Sequence, residues 1–77
     1  MPKGTKIERY VIQEVKKKRK ALKMSQVDLS HSLDLDSSFV GHVENTAKRD
    51  KYNLNHINAL AAIFNCSPRD FLPEKAV

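Results

Sequence analysis

Closely spaced helix-start signals constrain the fold of this chain more than any other feature. Ser25, Asp36, Asn53 and Ser67 are residue types that favour the position just before a helix, and an apolar run follows each of them. The sequence has only two glycines and no run in which β-branched and polar residues alternate, so it offers no strand. We therefore predict an all-α fold, a compact bundle of five short helices.

The first helix is predicted from about Ile7 to Leu22. Apolar residues recur along it every three or four positions and form one stripe, which only Lys18 interrupts. The basic run KKKRK (residues 16–20) wraps the whole circumference of the helix, so most of it is expected in solvent. The stripe consists of Ile7, Val11, Val15, Lys18 and Leu22.

Two shorter helices follow, separated by a turn at residues 34–36. The first begins at Ser25, and Asp28 three positions later gives an approximate capping box. The second is predicted over about residues 37–45, with the Asp36 carboxylate at the positive end of its dipole. Together they form a helix-turn-helix candidate. Their inward-facing positions are predicted to be Val27, Leu29, Leu33, Val40 and Val43.

A polar, basic loop, NTAKRDKYN (residues 45–53), precedes the fourth predicted helix, which Asn53 caps. The segment SPRDFL (residues 67–72) is predicted to be a short fifth helix, with Ser67 as its cap and Pro68 at its first position. The apolar residues predicted to face inward on these two helices are Leu54, Ile57, Leu60, Ala61, Phe64, Phe71 and Leu72.

Length and composition predict one small domain, over residues 1–77 with its core at about 7–72. The 77 residues are near the lower limit for a chain that folds alone, and 40% of them are hydrophobic. The single cysteine, Cys66, cannot form an internal disulfide and fits a reducing compartment. The sequence has neither a signal peptide nor an apolar run of membrane-spanning length. A cytoplasmic protein with no membrane partner is therefore expected.

Charge is distributed unevenly along the chain. The net charge of +5 and the pI of about 9.6 favour a polyanionic partner. Residues 1–23 carry nine Lys and Arg against two Glu, whereas residues 24–45 carry four acids and no Lys or Arg. That acidic stretch is the feature that favours a protein partner over nucleic acid.

The third predicted helix carries one face that is small and nearly uncharged. A helix that only needs to be soluble usually covers such a face with charged residues. A helix that enters the DNA major groove needs short donors and acceptors near the base edges. We therefore predict that this face contacts DNA, and that its longest side chain, His42, donates to a guanine. The face consists of Ser37, Ser38, Gly41, His42 and Asn45.

The segment MSQVDLSHSLDLDSSFVGHVEN (residues 24–45) resembles the helix-turn-helix of the phage repressor/Cro-type (XRE-like) DNA-binding family. LAAIFNCSPRDFL (residues 60–72) is similar to the last two helices of that family, and the resemblance covers about residues 7–72. The family's turn glycine is Asp34 here, the glycine that often follows its Glu-Asn pair is Thr46, and the next loop lacks the usual proline. The matching positions are Arg19, Gln26, Ser30, Asp34, Val40, Val43, Glu44 and Asn45.

The resemblance implies a lambda repressor-like domain that binds double-stranded DNA, regulates transcription and forms a homodimer. It implies no cofactor, and no small-molecule substrate is evident. It also implies that the Gln26 amide donates to a backbone phosphate and approaches the first bases. Arg19 is expected to turn inward and form a mostly buried ion pair with Glu44.

Further phosphate ligands are expected on both sides of the DNA-facing helix. Ser25 is first of all a cap, and a phosphate contact would be its second role. Lys48 and Arg49 are well placed because their loop follows that helix. Phe39 is interpreted as the edge of the core, with contact to a thymine methyl group as the alternative.

Other chemistries find less support in these residues. The three histidines and Cys66 lie on different predicted elements without ligand spacing, so no metal is expected. Ser38 and His42 stand four positions apart, as a nucleophile and base would, but no third orienting group accompanies them, so no enzyme is expected. RNA binding would need more aromatic surface than two Tyr and three Phe provide. A protein-interaction module of the same fold, of antitoxin or anti-repressor type, remains the alternative.

Overall fold

Four α-helices and one short 3-10 helix form the structure, a computed structural model that describes residues 4–77. Residues 1–3 of the predicted domain lie outside the described part. No strand occurs within the described range, which confirms the predicted all-α class. Within that range no helix is long and apolar enough to cross a membrane. The elements are α1 (Lys6–Ala21), α2 (Gln26–Ser32), α3 (Phe39–Glu44), α4 (Leu54–Phe64) and the 3-10 helix (Pro68–Phe71).

The predicted fifth α-helix is instead the 3-10 helix, so the described chain has four α-helices and not five. Its bonds join residues three apart: Asp70 N–H to Ser67 O at 2.9 Å and Leu72 N–H to Arg69 O at 3.0 Å. Pro73 explains why the helix ends after one turn. The residue before a proline is forced into extended backbone, and Leu72 has a ψ of 147°.

Capping boxes mark where most of the elements begin. At Thr5, Ser25 and Asn53 the cap side chain accepts from the N–H three residues on, whereas Ser67 Oγ accepts from Arg69 N–H, two residues on, at 3.3 Å. In all four, the side chain three residues on accepts from the cap N–H. The three caps predicted at Ser25, Asn53 and Ser67 are confirmed, whereas the cap of α1 at Thr5 was not predicted. The pairs are Thr5–Glu8, Ser25–Asp28, Asn53–His56 and Ser67–Asp70.

The predicted bounds of the third helix, 37–45, are too long, because α3 covers only Phe39–Glu44. The Asp36 carboxylate does accept hydrogen bonds, from the N–H of Ser38 at 2.9 Å and from its hydroxyl at 2.7 Å. This two-residue span is a side-chain turn that competes with helix. Residues 37 and 38 are therefore a turn, and the i to i+4 bonds begin with His42 N–H to Ser38 O at 3.0 Å.

The core face of α1 is rotated from the predicted stripe. Val11 and Val15 are buried as expected, but Ile7 and Leu22 are 43% and 56% exposed. The rotated face includes Ile12, which the prediction omitted. The rotation has a physical cause, since α3 packs beside α1 and draws Arg19 to only 7% exposure. The buried apolar residues are Val11, Ile12, Val15, Leu29, Val40, Val43, Ile57, Leu60, Ala61 and Phe71.

Non-glycine residues make the sharp turns between helices. Lys23, Asp34 and Asn65 have φ of 58°, 61° and 55°, in the left-handed region. Asp34 stands where the family has glycine, and Asp and Asn tolerate this region better than most residues do. Lys23 lacks that advantage, so the turn after α1 is strained and must be stabilised by the packing on either side of it.

Candidate nucleic-acid interface

A buried hydroxyl joins α2 to α3. Ser30 is fully buried, and its Oγ donates to Gln26 O at 2.8 Å and accepts from Val40 N–H at 3.0 Å. Val40 is the second residue of α3, so its N–H has no partner within its own helix. The Ser30 hydroxyl therefore caps α3 as a local side chain caps each of the other helices. It also fixes the angle between α2 and α3.

An aromatic cluster anchors the start of α3 from the other side. The ring of Phe39 lies 4.9 Å from that of His56 and 6.0 Å from that of Tyr52, measured between centroids. Phe39 is half-buried and packs against the core. It therefore borders the core, the preferred interpretation of the two that the sequence allowed.

The predicted DNA-facing residues lie on one side of the structure, but they differ in exposure and in whether they already make a hydrogen bond. Ser37, Ser38, His42 and Asn45 are exposed, whereas Gly41 is half-buried. Ser38 is engaged with Asp36, and Asn45 Oδ1 accepts from Ala47 N–H at 2.9 Å. Within residues 4–77 the His42 side chain makes no hydrogen bond, so both of its ring nitrogens are available to a ligand.

Gly41 is half-buried because the end of Gln26 lies over it. A Cβ at Gly41 would be 3.2 Å from Gln26 Oε1, tighter than ordinary van der Waals contact. Gln26 is the first residue of α2, so the absence of a side chain at Gly41 lets the two helices approach at this point. Gly41 thus leaves the space in which the side-chain amide of Gln26 lies.

Gln26 is also connected to the buried ion pair between α1 and α3. Arg19 Nε and Nη2 donate to the two oxygens of Glu44, each at 2.9 Å, and both side chains are almost fully buried. Arg19 Nη1 donates to Met24 O at 2.8 Å. Gln26 Nε2 donates to Glu44 Oε1 at 3.0 Å. This orients the Gln26 amide, with one Nε2 hydrogen toward Glu44 and Oε1 beside Gly41.

Most of the acidic side chains in residues 24–45 make hydrogen bonds or an ion pair within the fold. Hydrogen bonds from the backbone and hydroxyl of Ser25 lower the pKa of Asp28, and those from the hydroxyl and backbone of Ser38 lower the pKa of Asp36. Glu44 is neutralised by Arg19. The negative charge of residues 24–45 is therefore explained mostly by caps and one ion pair.

The predicted phosphate ligands lie at both ends of the helix-turn-helix. Ser25 is exposed, and its Oγ accepts from Asp28 N–H at 2.9 Å. Lys48 and Arg49 are exposed in the loop after α3. Lys51 Nζ donates to Lys48 O and Asp50 O at 3.3 and 3.1 Å, which holds that loop in shape.

The histidines, Cys66 and Ser38 are the residues that the sequence raised for metal binding or catalysis. No three His, Cys, Asp or Glu side chains within residues 4–77 are placed to hold a metal ion. Ser38 donates its hydroxyl to Asp36, so it is not positioned as a nucleophile activated by His42. The site is a surface with hydrogen-bonding groups, flanked by cations.

Two positioning residues escaped the sequence analysis. Ser30 was identified only as a position that matches the family motif, and the signal for its role is a hydroxyl directly after the inward-facing Leu29. His56 was considered only as a metal ligand, although it stands three residues after Asn53, where a capping box needs an acceptor.

Comparison with known proteins gives similarity at the level of solved structures. The chain is similar to the restriction-modification controller protein C.AhdI from Aeromonas hydrophila, with 30% sequence identity and a TM-score of 0.69. That alignment covers 82% of this chain and 92% of the controller. The chain is also similar in fold to the hypothetical transcription factor NHTF from Neisseria, with 22% identity and a TM-score of 0.71, over 92% of this chain and 86% of that one. No protein-family model and no curated protein matches the chain.

Proposed function

This chain belongs to the XRE-like helix-turn-helix family, and we propose that it is a transcriptional regulator that binds double-stranded DNA with α3 in the major groove. The observation that carries the proposal is the exposed, short-chained face of α3, which is held in place from three sides. Ser30 caps its start, Phe39 packs on the aromatic cluster, and Glu44 pairs with Arg19 at its end.

Specificity is assigned to the side chains that reach base edges. His42 is exposed, lacks a hydrogen-bond partner within residues 4–77, and lies in the middle of that face. Gln26 adds a carbonyl oxygen over Gly41. Ser37, Ser38 and Asn45 are shorter and suit phosphate contacts or contacts to bases through water.

Affinity is assigned to the phosphate ligands. Lys48 and Arg49 follow α3, and Ser25 precedes α2, so donors lie at both ends of the helix-turn-helix. Cations that neutralise phosphates release counterions, so they raise affinity for every sequence alike. Base contacts from α3 then distinguish one sequence from another.

The protein is proposed to bind a two-fold site as a homodimer. Phe71 is fully buried and unavailable to a partner, but Leu72, which was also predicted to face inward, is 40% exposed. It lines an apolar groove of about 180 Å³ together with Ile7 and Leu54, the latter 82% exposed. The molecule measures 29 × 27 × 21 Å. Two adjoining copies are therefore compatible with half-sites one DNA turn, about 34 Å, apart.

Selection from a random duplex pool tests this function. The expected result is an enriched palindrome whose half-sites are about 10 base pairs apart between centres. Sedimentation with that duplex should give two protein chains per site. Leu54→Ser should weaken the dimer without unfolding the monomer, since its side chain is mostly in solvent. An unenriched pool would refute sequence-specific binding, and one chain on a single half-site would refute the dimer.

The second candidate is a protein-interaction module of the same fold. It is favoured by the exposed acids Asp28, Asp34 and Asp36, which lie on α2 and in the turn of the helix-turn-helix. A module of this kind would bind a basic protein through these carboxylates and would bind duplexes weakly. Failure to bind the random pool even at low salt, where phosphate contacts are strongest, would favour this candidate.

A further inference from the structure

A groove runs between α1 and the segment that follows α3. Its floor is apolar, formed by Ile12 and Val43, and its volume is about 210 Å³. Polar groups form its rim: Arg9 and Gln13 from α1, Asn45 at the end of α3, and Lys51 from the next loop. Arg9 and Gln13 are four residues apart, so they lie on one face of α1.

The groove carries net positive charge. Within residues 4–77, the only ion pairs are Lys17–Glu14 and Arg19–Glu44, so neither Arg9 nor Lys51 has a carboxylate partner there. Arg9 uses Nη1 on Gly4 O at 3.3 Å, one of the five N–H groups of a guanidinium. Glu44 also borders the groove, but both of its oxygens accept from Arg19, so its charge is already compensated.

The groove is continuous with the surface assigned to DNA. Asn45 belongs to both, and Lys51 closes the same loop that carries Lys48 and Arg49. A DNA strand that follows the loop away from α3 therefore continues toward α1. The charge, the open rim and this continuity all suit a phosphodiester group.

We propose that this groove binds a phosphate of the DNA backbone beyond those contacted by Ser25, Lys48 and Arg49. Arg9 is its charged ligand, and Gln13 is its neutral donor. The inference rests on the proposed function and extends it, because it gives α1 a direct part in DNA binding. It also predicts that the bound duplex must extend past the bases read by α3.

The salt dependence of binding distinguishes the charged ligand Arg9 from the neutral donor Gln13. Each phosphate neutralised by a cation contributes about 0.9 to the slope of log affinity against log salt. A dimer that carries Arg9→Gln loses one such contact in each protomer, so its slope should fall by about 1.8, and the affinity ratio of wild type to variant should be about 12-fold larger at 50 mM than at 200 mM salt. Gln13→Ala should weaken binding with an unchanged slope because it removes no charge. Arg9→Lys should restore the slope.

The experiment uses the duplex enriched by selection and fluorescence anisotropy. Neutral methylphosphonates replace its phosphates one at a time. At one flanking position the neutral phosphate should weaken binding of the wild type but should not weaken binding of Arg9→Gln any further. The substitution and the methylphosphonate each remove one partner of the same contact. Lys17→Gln is the matched control on α1, because Lys17 is 74% exposed and already paired with Glu14. Thermal melting checks that each variant is folded.

The outcomes distinguish this inference from the proposed function. A wild-type protein that binds the duplex, with Arg9→Gln showing the wild-type slope and no coupled phosphate position, would overturn the groove and leave the function standing. A wild-type protein that binds no duplex would overturn both. A slope change as large in Lys17→Gln would also overturn the groove, since the effect would then come from general charge.

Discussion

The side chain of Ser30 on α2 accepts a 3.0 Å hydrogen bond from the N–H of Val40 on α3, and both residues are fully buried. The same hydroxyl donates to Gln26 O within α2. Ser30 Oγ thus gives the Val40 N–H the hydrogen-bond acceptor that α3 itself lacks. It also sets the spacing between the two helices. The orientation of α3 therefore depends on a buried residue of α2.

Ser30→Ala should destabilise the protein, because it leaves the Val40 N–H buried without a partner. The expected cost is about 1–3 kcal/mol of unfolding free energy. For a domain of this size, each kcal/mol lowers the melting temperature by about 4–8 °C. Ser32→Ala is the control, since Ser32 is exposed at the end of the same helix. Equal chemical denaturation curves for the two variants would contradict the capping role.

Glu44→Ala should destabilise the fold far more than Glu14→Ala. It leaves Arg19 charged and 7% exposed without its partner, and removing one member of a buried pair costs about 3–5 kcal/mol. Glu14 pairs only with the exposed Lys17, and such surface pairs contribute about 0–1 kcal/mol. Denaturant titration of both variants measures the difference. Similar midpoints would show that the buried pair contributes no more than a surface pair.

Lys48→Ala and Arg49→Ala should each weaken binding to every duplex. Loss of one phosphate contact in each protomer should flatten the dependence of log affinity on log salt by about 1 per protomer, with little change in base preference. Lys75→Ala, exposed near the chain end, is the matched control. Anisotropy titrations from low to high salt measure the slopes. Wild-type slopes in both loop variants would remove this loop from the interface.

His42→Ala should leave the fold intact and relax preference at one base pair in each half-site. An imidazole N–H can donate to guanine O6 or N7, and loss of such a contact costs about 1–3 kcal/mol against the best site. Non-specific affinity should barely change. Selection repeated with the folded variant gives the test, and an unaltered preference at every position would show that His42 contacts no base.

Stability should fall as pH decreases from about 7 to 5, through His56. Its Nδ1 accepts from Asn53 N–H at 3.0 Å, which only the neutral ring can do, and burial lowers its pKa from the usual 6.5. A lowered pKa in the folded state means that this stabilisation is present above pH 6.5 and is lost below it. His56→Gln keeps a capping acceptor without titrating, so its stability should vary less across this range. Parallel pH profiles of the two proteins would exclude His56 as the cause.

Local chemistry made much of the fold predictable. Capping boxes and positive-φ turns involve residues within a few positions of one another, so Ser25, Asn53, Ser67 and Asp34 carry their own signals. Helix type at the chain end was missed although its cause, Pro73, is also local. The resemblance that the sequence carried is confirmed by the similarity to the controller protein.

Apart from the Arg19–Glu44 pair, which the resemblance implied, contacts between distant residues required the tertiary structure. The sequence contained an apolar stripe on α1 but did not determine which face of the helix is buried in the core, because Ile7, Ile12 and Leu22 are equally apolar. Packing of α3 decided that, since it brings Arg19 to Glu44, 25 positions away. Similarly, Gln26 over Gly41 and Ser30 against Val40 join separate helices. Residue type and spacing determine bonds within one helical turn, whereas bonds between helices depend on how all the buried side chains pack together.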